Sequence, residues 1–178
     1  MKKLFISLTV LFVLVMSACS NGSTDKKNDA KGSKSETITY QSENGKVEVP
    51  ANPKRVVVLS SFAGNVMSLG VNLVGVDSWS KQNPRFDSKL KDVAEVSDEN
   101  VEKIAELNPD LIIGLSNIKN VDKLKKIAPT VTYTYGKVDY LTQHLEIGKL
   151  LNKEKEAKTW VDDFKKRAQD AGKEIKAK

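Results

Sequence analysis

Val101-Glu102-Lys103-Ile104-Ala105-Glu106-Leu107-Asn108-Pro109-Asp110-Leu111-Ile112-Ile113 changes its hydrophobic period within a few residues. Val101, Ile104, Ala105 and Leu107 recur at helical spacing, with Asp98 as the expected N-cap. Asn108-Pro109 stops that helix, because proline has no N–H to continue the ladder. Asp110 to Ile113 is then a short apolar run of the kind found in a parallel strand covered on both faces. One helix feeding one buried strand predicts an α/β layered fold.

The pattern repeats on either side. Upstream, Thr37 to Val49 reads as a β-hairpin: Ile38 and Tyr40 on one strand, Asn44-Gly45 at the turn, Val47 and Val49 on the return. Arg55 to Leu59 is a buried strand, Phe62 to Leu69 a helix ended by Gly70, and Leu73 to Val76 a second strand. A polar loop opens at Asp77 and contains Pro84, and Val93 begins a brief strand. Downstream, Asn120 to Ala128 is a short helix. Val131, Tyr133 and Tyr135 alternate in a strand reaching Gly136, and Tyr140 to Leu151 forms a further helix.

From Lys153 a long amphipathic helix carries the stripe Ala157, Trp160, Val161, Phe164, Ala168, Ala171 and Ile175. Its apolar face exceeds what a domain this small can cover, so the reading expects more protein to follow. Strand–helix alternation gives a mainly parallel sheet with helices on its faces, whose ligands bind beyond the carboxyl ends of the strands. Those ends are Ser60-Ser61-Phe62, Ser78-Trp79, Ser116-Asn117 and Tyr135-Gly136.

The first residues follow other rules. Lys2 and Lys3 precede a nearly unbroken apolar run from Leu4 to Met16, too short to span a bilayer comfortably, and small residues lead into Cys19. This predicts a lipoprotein signal peptide over 1–18 and lipidation of Cys19. Cys19 is the only cysteine, so no disulfide, zinc site or thiol nucleophile is expected in the folded part. Residues 19–36 are the lipidated cysteine and a polar, flexible tether. The chain has 178 residues and a net charge of +6, of which +4 remains without Lys2 and Lys3. Basic residues are interleaved with acidic ones, against a nucleic-acid partner. The sole histidine, His144, reads as a solvent-side or partly buried structural residue. Ser60-Ser61 lacks the flanking glycines of a nucleophile elbow, and nothing in the sequence argues for an enzyme.

Four segments, in order, resemble one known family. Asn52 to Val58 enters the first strand after the hairpin, and Leu69 to Val76 joins the first helix to the second strand. Val101 to Ile113 leads into the third strand, and Ile127 to Val131 precedes the fourth. Together they resemble the N-terminal half of the iron-siderophore solute-binding lipoproteins of ABC importers, and most nearly the ferric-hydroxamate (ferrichrome or ferrioxamine) binders of Gram-positive bacteria. The resemblance implies a class III periplasmic-binding-protein-like N-terminal lobe over 37–152. It implies the beginning of a long interlobe helix over 153–178, with the second lobe absent. It also implies a monomer without cofactor, lipid-anchored on the extracytoplasmic face of the cell membrane. That receptor would pass a ferric hydroxamate siderophore to ABC permease subunits with a cytoplasmic ATPase.

A siderophore saturates its iron with its own oxygens, so the protein needs aromatic walls and a few donors rather than metal ligands. On that expectation Trp79 and Tyr135 are the principal walls, and Phe62 and Tyr133 are further candidates. Tyr133 shares a face with Tyr135 if the strand alternates faithfully, so one of them is a core residue. Ser60, Ser61, Ser116 and Asn117 are hydrogen-bonding candidates, or else ordinary strand-end caps. Arg85 is a candidate for a ligand carbonyl or carboxylate. The alternatives are a catecholate siderophore, haem or cobalamin on the same fold, or a non-transport surface lipoprotein. Strand ends carrying Ser, Phe, Trp and Tyr rather than Arg and Lys favour a near-neutral hydroxamate cargo.

Overall fold

Five parallel strands lie side by side in the order β5-β4-β3-β6-β7 in the computed structural model, which describes residues 36–177. They are β3 (Val56–Leu59), β4 (Leu73–Val76), β5 (Ala94–Glu95), β6 (Leu111–Leu115) and β7 (Thr130–Tyr133). The expected signal peptide, Cys19 lipidation and nearly all of the tether lie outside the described residues. Val56 and Val58 face one apolar cluster, Val57 and Leu59 the other, and all four are buried. A strand covered on both faces has no polar side to show, which is why β3 reads as an unbroken apolar run.

Helices α1 (Ala63–Ser68) and α6 (Tyr140–Leu150) cover the first face, through Ala63, Val66, Ile147 and Leu150. Helices α4 (Val101–Glu106) and α5 (Val121–Leu124) cover the second, through Ile104 and Leu124. A hairpin, β1 (Thr37–Ser42) and β2 (Gly45–Pro50), forms a separate antiparallel pair. Its two turn residues are Glu43 and Asn44. Gly45 opens β2 at φ +109, a conformation only glycine adopts freely. The long helix α7 (Glu154–Lys176) begins after Asn152, which sits at φ +55 and ends α6.

Several expectations are corrected. The loop after Asp77 contains two short helices, α2 (Ser78–Lys81) and α3 (Asp87–Leu90). Asp77 caps α2 by accepting from the Ser80 N–H and Oγ, and Lys81 Nζ donates to the carbonyls of Leu90, Lys91 and Val93. Asn100, not Asp98, caps α4, accepting from the Lys103 N–H at 3.0 Å; Asp98 instead accepts from the Lys119 N–H. Ala105 is exposed rather than on the buried stripe. On α7 only Ala157 and Val161 are buried, while Phe164 and Ile175 are exposed. β7 ends at Tyr133 and does not reach Gly136.

Candidate functional site

The strand order reverses at β3. The chain runs from β3 to β4 and β5 on one side, then returns to β6 and β7 on the other. Connections leave β3 and β6 in opposite directions, opening a crevice beyond their carboxyl ends. A pocket of about 290 Å³ lies there. Ser61 and Phe62 line it from the β3–α1 connection, Asn65 from the first turn of α1, and Leu115 from the end of β6. Tyr135, Gly136 and Val138 come from the β7–α6 loop, and Tyr140 and Gln143 from the first turns of α6. A larger hollow of about 530 Å³ lies between the hairpin and α5, but no aromatic side chain lines it.

Local backbone geometry sets the first wall. Ser60 lies at φ +83, uncommon for a residue with a Cβ, and so turns the chain sharply as it leaves β3. Phe62 then packs edge-on to Tyr133, with ring centroids 5.5 Å apart, and is itself buried. Tyr133 is part of the core. Its hydroxyl is 3.1 Å from that of Tyr40, and burial pushes its pKa well up, with the neighbouring Tyr40 adding to this. Of the paired candidates Tyr133 and Tyr135, Tyr133 is therefore the one turned inward.

The second wall is held from a distance. Glu43, in the hairpin turn, accepts from the Thr134 N–H at 3.3 Å and from Thr134 Oγ1 at 2.8 Å, and pairs with Lys137 at 3.3 Å. Burial alone would raise the Glu43 carboxyl, but the Thr134 bonds and the Lys137 ammonium outweigh it and hold the pKa below its ordinary value. Thr134, anchored in this way, lies just past the end of β7, and Tyr135 is 83% exposed. Asp139 caps α6 through the N–H groups of Leu141 and Thr142, which fixes the start of the helix bearing Tyr140 and Gln143.

The wall is uncharged: three aromatic rings, two apolar side chains, a serine and two amides. Among the described residues no group of three His, Cys, Asp or Glu side chains is placed to hold a metal ion. Of the candidates read from the sequence, Ser61, Phe62 and Tyr135 meet in this pocket. Ser60, Trp79, Arg85, Ser116, Asn117 and Tyr133 do not line it. Trp79 is 87% exposed on α2, which follows the carboxyl end of β4. Ser116 and Asn117 are exposed just past β6, and Arg85 is exposed between α2 and α3. The sequence reading missed Asn65, Leu115, Val138, Tyr140 and Gln143. Asn65, Tyr140 and Gln143 lie within helices, where the only available signal was proximity to a strand end.

The profile of the periplasmic binding protein family matches residues 56–178. The iron(3+)-hydroxamate-binding protein YxeB of Bacillus subtilis (strain 168) is 43% identical over 180 residues, covering 98% of this chain and 56% of that protein. Unliganded FhuD2 from Staphylococcus aureus superposes with a TM-score of 0.76 at 39% identity, covering 80% of this chain and 53% of that one. FhuD2 with bound ferrioxamine B superposes with a TM-score of 0.67 at 38% identity, covering 70% of this chain and 49% of that one. The chain spans about half the length of these relatives. A parallel sheet sandwiched by helices, closed by one long helix and matching this profile over most of its length, places the chain in the periplasmic binding protein family.

Proposed function

We propose that this chain is the N-terminal part of an extracytoplasmic receptor that captures ferric hydroxamate siderophores and delivers them to an ABC permease. The observation that carries the reading is the uncharged aromatic pocket at the strand-order reversal, walled by Phe62, Tyr135 and Tyr140. A ferric trihydroxamate is a nearly neutral chelate with an organic outer shell. Such a shell gains from contact with aromatic faces and needs no cationic wall. The relatives named for iron(3+)-hydroxamate binding and the FhuD2 complex with ferrioxamine B support the same cargo. Iron is cargo here, held by the siderophore's own oxygens, and the protein's task is binding without chemistry.

At about 290 Å³ the pocket lies at the low end of ligand sites (~300–1,000 Å³), so it takes one side of the chelate. Trp79, Ser116 and Asn117, at the same carboxyl ends of the sheet, are the residues to meet the rest of the ligand or the other side of a cleft. Ser61 is the hydroxyl donor at the wall. Lipidation at Cys19 would hold the receptor beside its permease.

The test is a titration of tryptophan fluorescence with ferrioxamine B. Saturable quenching is expected, with Tyr135→Ala and Tyr140→Ala each weakening binding about tenfold, the loss of one aromatic contact. Saturable binding of ferric catecholates or haem, with none of ferrioxamine B, would reassign the cargo. No response to any chelate would sink the receptor reading for this chain.

A further inference from the structure

Helix α7 outruns the helix that it packs on. Its first half runs antiparallel to α6. Gly148 lies against Ala157, the His144 ring is 4.4 Å from that of Trp160, and Tyr140 stands edge-on to Trp160 at 6.2 Å. Tyr140 is the first residue of α6, so α6 offers α7 nothing to pack on far beyond Trp160. Val161 is the last buried residue of α7, and residues 164–176 continue for roughly 20 Å at ~1.5 Å per residue. Tyr140 also lines the pocket, so the free half of α7 leaves the lobe at its pocket end.

That free half keeps an apolar stripe. Phe164 stacks on Trp160 with ring centroids 5.5 Å apart and planes 7° from parallel. The stripe goes on through Ala168, Ala171 and Ile175, with Phe164 39% and Ile175 75% exposed. The two halves of the helix also differ in charge. Residues 154–163 carry four acidic and two basic side chains, and residues 164–176 carry five basic and two acidic. Two such helices running antiparallel set the acidic half of each beside the basic half of the other, with their stripes face to face. A surface that complements itself under a two-fold rotation fits a second copy of the same chain.

The pocket gives the pairing a use. It takes one side of a chelate, and an antiparallel α7 pair sets the two lobes at opposite ends with their pocket ends towards each other. Resting on the receptor reading above, we infer that two copies of this chain join through residues 164–176 of α7 and enclose one ferric hydroxamate chelate between their pockets. Tyr135 and Tyr140 of each copy cover opposite sides of the organic shell. This arrangement replaces the monomer that the family resemblance implies. The stripe is narrow, so the helices alone pair weakly and the shared chelate stabilises the dimer.

The test is calorimetric titration of the full chain with ferrioxamine B, with sedimentation velocity on the same samples. The expected result is half a chelate per chain and a dimer's mass once chelate is present. Raising sodium chloride from about 0.05 M to about 0.5 M should weaken the dimer several-fold, because the paired charges are exposed. Phe164→Glu lies outside the pocket, yet it should remove the dimer and weaken chelate binding about tenfold or more. Ile175→Glu, at a position too exposed to affect folding of the lobe, should also remove the dimer. A dimer that persists in both variants would overturn the assignment to α7. One chelate per monomeric chain would overturn the pairing and leave the receptor reading intact. No binding of ferrioxamine B or of any other chelate would overturn both.

Discussion

The phenolic oxygens of Tyr40 and Tyr133 lie 3.1 Å apart inside the core, so the hairpin is tied to edge strand β7 by a buried hydrogen bond across 93 residues of chain. No strand pairing links the two sheets. That bond and the Glu43 contacts with Thr134 hold the hairpin where it can shape the β7–α6 loop. Tyr133→Phe should cost about 1 kcal/mol, the worth of one such bond, and lower the melting temperature by about 2–5 °C. Affinity for ferrioxamine B should be unchanged, because the hydroxyl points away from the pocket. Calorimetry and titration on the same variant separate the two effects.

Gly148 marks a close approach of α6 to α7. A Cβ there would overlap the methyl of Ala157 and crowd the Lys153 carbonyl at 3.3 Å. Gly148→Ala should destabilise by about 1–3 kcal/mol, through overpacking that only a shift of α7 can relieve. Adding Ala157→Gly should restore a large part of that loss in urea unfolding. If the double variant is as unstable as the sum of its parts, close packing at this point is not the cause.

His144 gives the fold a pH dependence with a definite sign. Burial lowers its folded pKa below the ordinary 6.5, so the unfolded chain takes up a proton first as pH falls. Stability associated with the neutral, buried ring is intact above about pH 6.5. It declines as pH drops from there towards the folded pKa. The urea midpoint should therefore fall between pH 7.5 and pH 5.5, and the fall should be smaller in His144→Gln. An identical slope in the variant would assign the dependence to other groups.

Glu43→Gln tests the remote hold on the β7–α6 loop. It removes the charge facing Lys137 and weakens acceptance from Thr134. Amide exchange at residues 134–137 should quicken, and ferrioxamine B should bind roughly threefold more weakly, in keeping with a partly exposed pair. Because the Glu43 carboxyl is held below its ordinary 4.5, its stabilising effect is present above about pH 4.5 and lost as pH falls through the lower folded value. Unchanged exchange at 134–137 would show that the loop holds itself.

Much of the architecture is legible in short windows of sequence. Val56–Leu59 and Leu111–Ile113 read as buried strands because a strand covered on both faces is apolar at every position, and that pattern needs no knowledge of neighbours. Asn108-Pro109 and Asn152 mark helix ends for equally local reasons: a missing N–H, and left-handed backbone at φ +44 and φ +55. Short helices are harder. α2 and α3 are stabilised by Asp77 capping one and Lys81 binding the last carbonyls of the other, and neither contact follows from periodicity.

The sequence by itself determined the α/β alternation, the positions of the main strand ends, and the aromatic character of several of them, because these depend on residue type and spacing alone. The tertiary structure decided which ends meet. Strand order brings β3 beside β6, and β7 ends at Tyr133, where a residue of the hairpin turn binds Thr134, so one ring is core and the other is wall. It also buried His144 completely and turned Gln143 into the pocket. Strand order and helix facing are set by pairings between distant segments, and a local sequence pattern holds no information about a neighbour ninety residues away.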